Sequence, residues 1–342
     1  MALGTAVAND IAAAALDFYL KSPAFAQSTQ DRPLLGWLDK GKKTFPSGKE
    51  KISSPVKGDY MNSVAGFFSG YSEDSQLSFK QAQNIKRAEY SWKEVHAGLI
   101  ITWTELKKDG ITVSDNAKTS QHTSREATVL TGLLEDRMAD YAESWARAKN
   151  AMLWADGSQD ANQVPGIQAI IPAAYGTVGG IDQNAYAWWK HQIFPAVHPS
   201  GEAQTLVETI RAGLIQLRRY GGRPNKALCG SAFLAGLRLE VTAKSEYSDS
   251  GNAAGQDIGM GGIRVSEMGL FEYDPTMDDI GMSKKCYVMD GRRVKLRPME
   301  GEDNKVLTPE RPYDYMVFLK SMTWTGGLEV TQLNANGIFS IN

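Results

Sequence analysis

Cysteine is nearly absent from this chain: 342 residues carry two, Cys229 and Cys286. Two thiols make no disulfide framework, and such usage fits a reducing compartment. An excess of either charge is also missing. Lys and Arg total 37 against 39 Asp and Glu, a formal net charge of -2, so no whole-molecule field calls for nucleic acid or an anionic membrane. Long apolar runs are lacking, since no stretch reaches the ~18 residues of a membrane span. The opening "MALGTAVANDIAAAALDFYL" has no Lys or Arg before its apolar part, and Asp10 and Asp17 interrupt it. That argues against a secretory signal and for an amphipathic arm, with Ile11, Ala14, Ala15, Phe18 and Tyr19 near helical spacing. Histidine is scarce. His96, His122, His191 and His198 form no H-E-x-x-H or other metal-ligating spacing, and are read as structural or surface residues. Catalytic signatures are missing as well. "CGSAF" around Ser231 lacks the second glycine of a nucleophile elbow. "GNAAGQDIGMGGIRV" has no Lys-Ser or Lys-Thr, and Arg264 stands where a dinucleotide fingerprint needs its third glycine. It is read as a mobile loop. The sequence therefore predicts no enzyme, no catalytic residue, no cofactor and no metal.

What is present is an ordinary folded composition, 42% hydrophobic and 22% charged, long enough for two or three compact units. Residues 43 to 60, "KTFPSGKEKISSPVKGDY", read as an exposed loop or strand edge. Residues 60 to 103 have strand character through "SQLSFKQAQN", "AEYSWKEV" and "AGLIITWTEL", with "GYSEDSQ" as turn material. A long two-stranded excursion is the natural reading, and such a ribbon needs something to lie on. Thr123 with Glu126 forms a capping box. Leu130, Leu134, Met138, Tyr141, Trp145, Ala148 and Met152 then recur at three and four residues. A helix over 123–150 would span about 42 Å, either as a structural beam or as a plain core helix. A second helix is expected at 202 to 220, ending at Gly221-Gly222. "PNKALCGSAFLAGLRLE" reads as a strand into a helix. "IRVSEMGLFEYDP", "KKCYVMDGRRVKLRPM", "YDYMVFLKSMTW" and "GGLEVTQLNANGIFSIN" read as strands. The class is α+β.

Two local features stand out. Between Arg32 and Lys57 seven basic residues, among them Lys49, Lys51 and Lys57, face only Asp39 and Glu50, a net of +5. Between Val265 and Ser283 the acids Glu267, Glu272, Asp274, Asp278 and Asp279 meet no base, a net of -5. The acidic stretch can be read as a carboxylate pair for glycoside hydrolysis, a cation site or a solvated face. It can also be the counterpart of the basic stretch, steering copies of the chain together. The other feature is "GGIDQNAYAWWKHQI", residues 179 to 193, with Trp188 and Trp189 side by side. Core plug, subunit contact and sugar platform are all open readings. If the segment is extended, the two indoles point to opposite sides.

That aromatic segment resembles a recurring stretch of the major capsid proteins of tailed bacteriophages, in which a Gly-Gly-Ile-Asp run is followed shortly by a Trp-Trp pair. The letters match over 179 to 189. The order of elements resembles the HK97-type coat fold over nearly the whole chain: an arm, a Lys-bearing β excursion, a long helix, a helix-strand-helix unit and a closing strand. The resemblance implies an N-arm at 1–45, an E-loop hairpin at 46–95, a peripheral (P) domain at 96–195 with a spine helix near 123–150, an axial (A) domain at 196–300, and a return to the peripheral domain at 301–342. It implies a major capsid protein that self-assembles through hexamers and pentamers into an icosahedral shell around double-stranded DNA, held without sequence specificity. Lys49, Lys51, Lys57, Trp188, Trp189, Asp274, Asp278 and Asp279 would be its assembly contacts. Partners would be other copies, a separate scaffolding protein, a portal at one vertex and, optionally, a decoration protein. The shell would be a virion component assembled in the host cytoplasm, with no membrane partner. Some coat proteins of this fold join neighbours by a Lys-Asn isopeptide bond; Asn334 and Asn336 lie near the C-terminus, but no motif selects a pair. An encapsulin-like nanocompartment shell shares the fold. A carbohydrate-active hydrolase is the reading from another class.

Overall fold

The computed structural model of the chain describes residues 31–58, 68–74, 76, 79, 85–108, 124–196, 206–246, 263–265, 269–307 and 317–341. The arm helix expected at 1–22, Thr123, His122, His198, most of "SQLSFKQAQN", the loop 251–262 and Glu267 lie outside them. The chain divides into two compact units, residues 1–31 with 104–143 and residues 32–103 with 144–342.

Beyond Asp31, the described residues of the first unit belong to the short helix α2 (Trp103–Lys108), from Thr104 on, and to the first part of α3 (Ser124–Trp154). The sequence reads "ITWTEL" as strand. The strand instead stops at Thr102 and the chain turns helical, as the good helix formers Glu105 to Lys108 favour. Helix α3 is continuous over 31 residues, four beyond the end expected at 150. At ~1.5 Å per residue it is about 46 Å long.

The second unit begins with helix α1 (Pro33–Lys40), whose Pro33 occupies the first turn, where a missing N–H costs nothing. A ribbon of β1 (Ile52–Lys57) and β2 (Ile85–Tyr90) follows, paired antiparallel from Ile52↔Tyr90 to Lys57↔Ile85. After a break at Ser91–Trp92, β3 (Lys93–Thr102) leaves the ribbon and pairs with β13 (Val317–Val330). Among the described residues, β13 also pairs with β11 (Val294–Pro298) and β12 (Lys305–Val306), making a four-stranded sheet. The sequence suggests separate strands on either side of Gly326-Gly327, yet β13 runs through both. A Cβ at Gly326 would lie 2.7 Å from the Arg297 carbonyl oxygen, and one at Gly327 2.9 Å from that of Ser91. These glycines permit close backbone approach, which is the other use of glycine in a strand.

The six-stranded sheet has the order β6-β14-β10-β7-β9-β8. Its strands are β6 (Gln192–Ala196), β7 (Lys226–Cys229), β8 (Ile263–Val265), β9 (Gly269–Tyr273), β10 (Lys285–Met289) and β14 (Gly337–Ile341). The chain therefore changes sheet between β10 and β11, and again between β13 and β14. Cys229 and Cys286 are both buried free thiols and face each other across β7 and β10. Helix α5 (Leu206–Arg219) lays Leu206, Ile210, Leu214 and Leu217 on this sheet, against Phe233 and Phe339. Each such side chain contributes about 1.5–3 kcal/mol of burial. Helix α6 (Ser231–Glu246) follows β7 directly. Among the described residues, no helix is long and apolar enough to cross a membrane.

The second core cluster gathers around the C-terminal end of α3. Trp154, Trp189, Trp324 and Tyr287 are buried with Leu34 and Leu38 of α1. Polar groups tie this cluster together. Asn150 accepts from the Leu35 backbone N–H (3.1 Å) and donates to Thr276 Oγ1 (2.7 Å). Asp274, fully buried, caps the short helix α7 (Pro275–Asp279) through Thr276 N–H (3.0 Å) and accepts from Trp154 Nε1 (2.8 Å). Burial pushes its carboxyl above the usual range. Removing it leaves a buried indole N–H and an uncapped turn without acceptors. Asp274→Ala should therefore cost about 2–4 kcal/mol in urea unfolding, and Asp274→Asn, which keeps an acceptor, distinctly less.

Candidate functional site

Among the described residues no group of His, Cys, Asp and Glu is placed to hold a metal ion, and the site of interest is the base of the β1–β2 ribbon, where the Gly-Gly-Ile-Asp and Trp-Trp residues fall. Strands β4 (Thr177–Val178) and β5 (Ile181–Asp182) form a minimal hairpin around Gly179 and Gly180. Both glycines have positive φ, 60° and 77°, which a two-residue hairpin turn of this kind demands at both positions. The Gly179 carbonyl accepts from Glu89 N–H of β2 at 2.9 Å, and a Cβ on Gly179 would meet the Tyr90 ring at 3.1 Å. Tyr90 passes the connection on, donating its hydroxyl to the Val330 carbonyl at 2.9 Å.

After β5 the chain folds back. Asp182 Oδ1 accepts from Asn184 N–H (2.9 Å), and the Asp182 carbonyl accepts from Tyr186 N–H (3.1 Å). Residues Ala187–Trp189 then form a turn of 3₁₀ helix. This corrects the extended geometry considered from sequence: at ~3 residues per turn, neighbouring side chains diverge by about 120° rather than 180°. Both indoles consequently serve the same junction. Trp189 is 1% exposed and donates to the Val178 carbonyl at 3.0 Å. Trp188, half-buried, packs edge-on against it at 5.8 Å and beside Tyr186 at 5.8 Å. Its ring lies flush against Gly58 at the end of β1, so close that a Cβ there would sit 2.4 Å from the indole. Lys86 of β2 stands 4.9 Å over the Tyr186 ring. The aromatic segment thus touches both strands of the ribbon.

Other contacts hold the ribbon as well. Trp92 Nε1 donates to the Lys49 carbonyl (2.8 Å), and Ser54 bonds Glu329, which also pairs with Arg297 (2.8 Å). Ile52, Val56 and Ala88 are buried, while Ile85, Phe68, Tyr71 and Phe79 are 69–96% exposed. The base is packed, and apolar surface stands exposed further along.

The charged residues singled out from sequence are only partly available. Lys51 pairs with Glu89 (3.0 Å), both exposed, and Lys49 and Lys57 are exposed. Within the basic stretch Lys42 is paired with Asp303. Within the acidic stretch Asp274 is buried, Glu272 pairs with Lys226, and Asp278 accepts from Ser231 N–H (3.0 Å) and Tyr273 Oη (2.7 Å). Asp279 is exposed. Among the described residues, Lys51 is held by Glu89 on the ribbon, and Asp278 by Ser231 and Tyr273 beside the six-stranded sheet. Asn336 is fully buried, bonded to Asp290 N–H and the Gln332 carbonyl, so it offers no amide to a neighbouring chain. One sequence alternative also loses its footing: with Trp189 enclosed, the pair makes no open sugar platform. A cavity of about 200 Å³ lies beside the junction, lined by Tyr90, Pro165, Ile170, Val178 and Leu328.

His191, read from sequence as a structural or surface residue, is a structural one. It is fully buried, its Nε2 bonding the Pro172 carbonyl at 2.7 Å while Nδ1 has no partner. Burial holds its pKa down to about 4. Adjacency to the tryptophan pair was the available signal.

No protein-family model matches the sequence, and no curated protein matches it. Solved structures do. The chain aligns over 93% of its length with 94% of a chain from the capsid asymmetric unit of cyanophage A-1(L), at 14% identity and a TM-score of 0.63. It aligns over 99% with 99% of a capsid chain of the native gene transfer agent particle, at 16% identity and 0.54. With the capsid of Myoviridae phage XM1 the coverage is 93% and 94%, the identity 10% and the TM-score 0.53. The chain has the α+β coat fold of these capsid subunits, as the resemblance in sequence implied.

Gly58→Ala drives a methyl into the Trp188 indole, and should cost about 1–3 kcal/mol and speed amide exchange in β1 and β2. Gly36→Ala, in exposed helix with nothing within 4 Å, should stabilise by up to about 1 kcal/mol. Acid should act through His191. Its folded pKa lies below the unfolded value of 6.5, so as pH falls from 6.5 to 4 the unfolded chain takes up a proton that the folded chain refuses. That drains up to about 3 kcal/mol across the window. A His191→Gln variant should show a flatter dependence of Tm on pH between those limits.

Proposed function

We propose that this chain is the major capsid protein of a tailed bacteriophage, and that many copies close into an icosahedral shell enclosing double-stranded DNA. The observation that carries this reading is the end-to-end likeness to capsid chains, 93–99% of both chains in three cases. The ribbon supports it: anchored at its base, it leaves Phe68, Tyr71 and Phe79 in water, and exposed apolar surface of this kind marks a partner.

In finer terms, residues 1–45 act as an N-arm and 46–95 as an E-loop laid across the next subunit. Residues 96–195 and 301–342 make the peripheral domain, and 196–300 the axial domain. The role is mechanical rather than enzymatic. Lys49, Lys51, Lys57, Asp278 and Asp279 are the charged contacts between copies, with Trp188 and Trp189 supporting them from behind by fixing the ribbon's angle. Buried Asp274 contributes by shaping the Asp278–Asp279 helix. Neutral overall charge suits a container that encloses DNA without reading it. A scaffolding protein, a portal and an optional decoration protein complete the particle, which is built in the host cytoplasm and functions as the virion shell.

Negative-stain microscopy of the expressed chain, alone and with the scaffolding protein from the same genome, tests the reading. Uniform closed shells are expected in at least one condition. A monodisperse monomer in both would overturn it. In the shell-forming condition, reversing Lys49, Lys51 and Lys57 to Glu should reduce shell yield several-fold, and unchanged yield would remove these lysines as contacts.

A further inference from the structure

The chain's two cysteines have no part in the ribbon junction, yet they meet. Cys229 ends β7, and Cys286 faces it from β10. The kind of facing position matters. Gly230 N–H donates to the Lys285 carbonyl at 3.1 Å, so Gly230 and Lys285 are a hydrogen-bonded pair of this antiparallel ladder. Such pairs alternate with non-hydrogen-bonded ones, and Cys229 with Cys286, one step along, is of the second kind. There the Cα atoms stand ~4.5 Å apart and both side chains rise from one face of the sheet. A disulfide accepts Cα separations of ~4.4–6.8 Å, so the strands need not move to be bridged. The approach is also fixed from outside the pair: a Cβ on Gly230 would lie 2.5 Å from the Ser283 backbone.

Both thiols are fully buried, among Phe233, Leu237, Phe271 and Phe339. Cys229 Sγ donates to the Glu272 carbonyl at 3.3 Å, and the Cys286 thiol hydrogen-bonds that of Cys229. Burial first, and the facing thiol second, push the Cys286 thiol up. It keeps its proton, which leaves Cys229 as the sulfur that reacts first. A buried thiol commonly serves as a small apolar core residue. That use accounts for either cysteine alone, but does not place the second at the one position opposite the first.

We propose that Cys229 and Cys286 are an oxidation site, and that they close an intrachain disulfide when the folded chain meets a peroxide. The Cys229 sulfur attacks one peroxide oxygen and the O–O bond breaks. The departing hydroxide takes the thiol proton and leaves as water. The sulfenic acid so formed faces Cys286. The Cys286 sulfur attacks the Cys229 sulfur, the S–O bond breaks, and a second water leaves with the Cys286 proton. Two thiols and one hydrogen peroxide become one disulfide and two waters. Hydrogen peroxide is uncharged and little larger than water, as an oxidant for a closed core must be. In a reducing compartment the thiols stay free. The bond would close α6, β8, β9 and α7 into one covalent loop, within one chain and independently of any assembly.

Thiol counting on the purified full-length chain tests this. The folded chain is treated with hydrogen peroxide or with dithiothreitol, and the reagent is removed. It is then unfolded in guanidinium with excess iodoacetamide, weighed, and digested without reduction. The reduced chain should carry two alkyl groups. The peroxide-treated chain should carry none, and its digest should contain a peptide joining Cys229 to Cys286 that dithiothreitol separates. Its Tm should stand several degrees above that of the reduced chain, a difference absent in Cys286→Ser. Two alkyl groups after a treatment that converts methionines to sulfoxides would overturn the proposal. So would a bond between chains, seen as a dimer on a non-reducing gel, or sulfinic acid on one cysteine with the other still alkylated.

Discussion

A two-stranded ribbon cannot hold its own position in water, and the β1–β2 ribbon of this chain depends on what grips its base. Trp188 lies on Gly58 at one strand, and the Gly179 carbonyl holds Glu89 on the other. Tyr90 joins the same strand to β13, the long strand that organises the four-stranded sheet. The direction in which the ribbon leaves the body is thereby set by packed aromatic rings and backbone hydrogen bonds, both of which resist small rotations.

The second unit also spends its charge inward. Asp274 is buried against Trp154. Asp290 is buried too, and although burial alone would raise its pKa, Arg292 and the Arg223 backbone N–H prevail and hold it below the usual carboxylate range. Glu329 bridges Arg297 and Ser54. Such groups set angles between elements, because an unpaired buried charge would cost far more than the pair. The charge left at the surface is correspondingly smaller than a count along the sequence suggests.

Much of the fold was legible in the sequence. The three- and four-residue recurrence from Leu130 to Met152 marks α3, since a helix must turn an apolar stripe somewhere. The pattern Leu206, Ile210, Leu214, Leu217 marks α5, and its glycine stop ends it. The Gly-Gly-Ile-Asp turn and the tryptophan pair marked the junction without revealing its use. Strand partners were not legible. "KKCYVMDGRRVKLRPM" reads as strand, yet its halves belong to different sheets, and the glycines of β13 resemble a break because nothing local shows that a side chain there would meet another backbone within 3 Å. "AGLIITWTEL" reads as strand for its aromatic and β-branched residues, whereas the chain turns helical from Trp103, as the helix formers Glu105 to Lys108 favour.

The sequence by itself determined the class, the order of elements and the resemblance to a coat fold, because periodicity, glycine turns and aromatic spacing are local and survive in one dimension. Only the tertiary structure decided which side of each tryptophan is used, which charges are consumed inside, and that Lys149 meets Asn304 from 155 positions away in the chain. Those are outcomes of long-range packing, in which a residue's chemistry is set by neighbours that its own stretch of sequence does not contain.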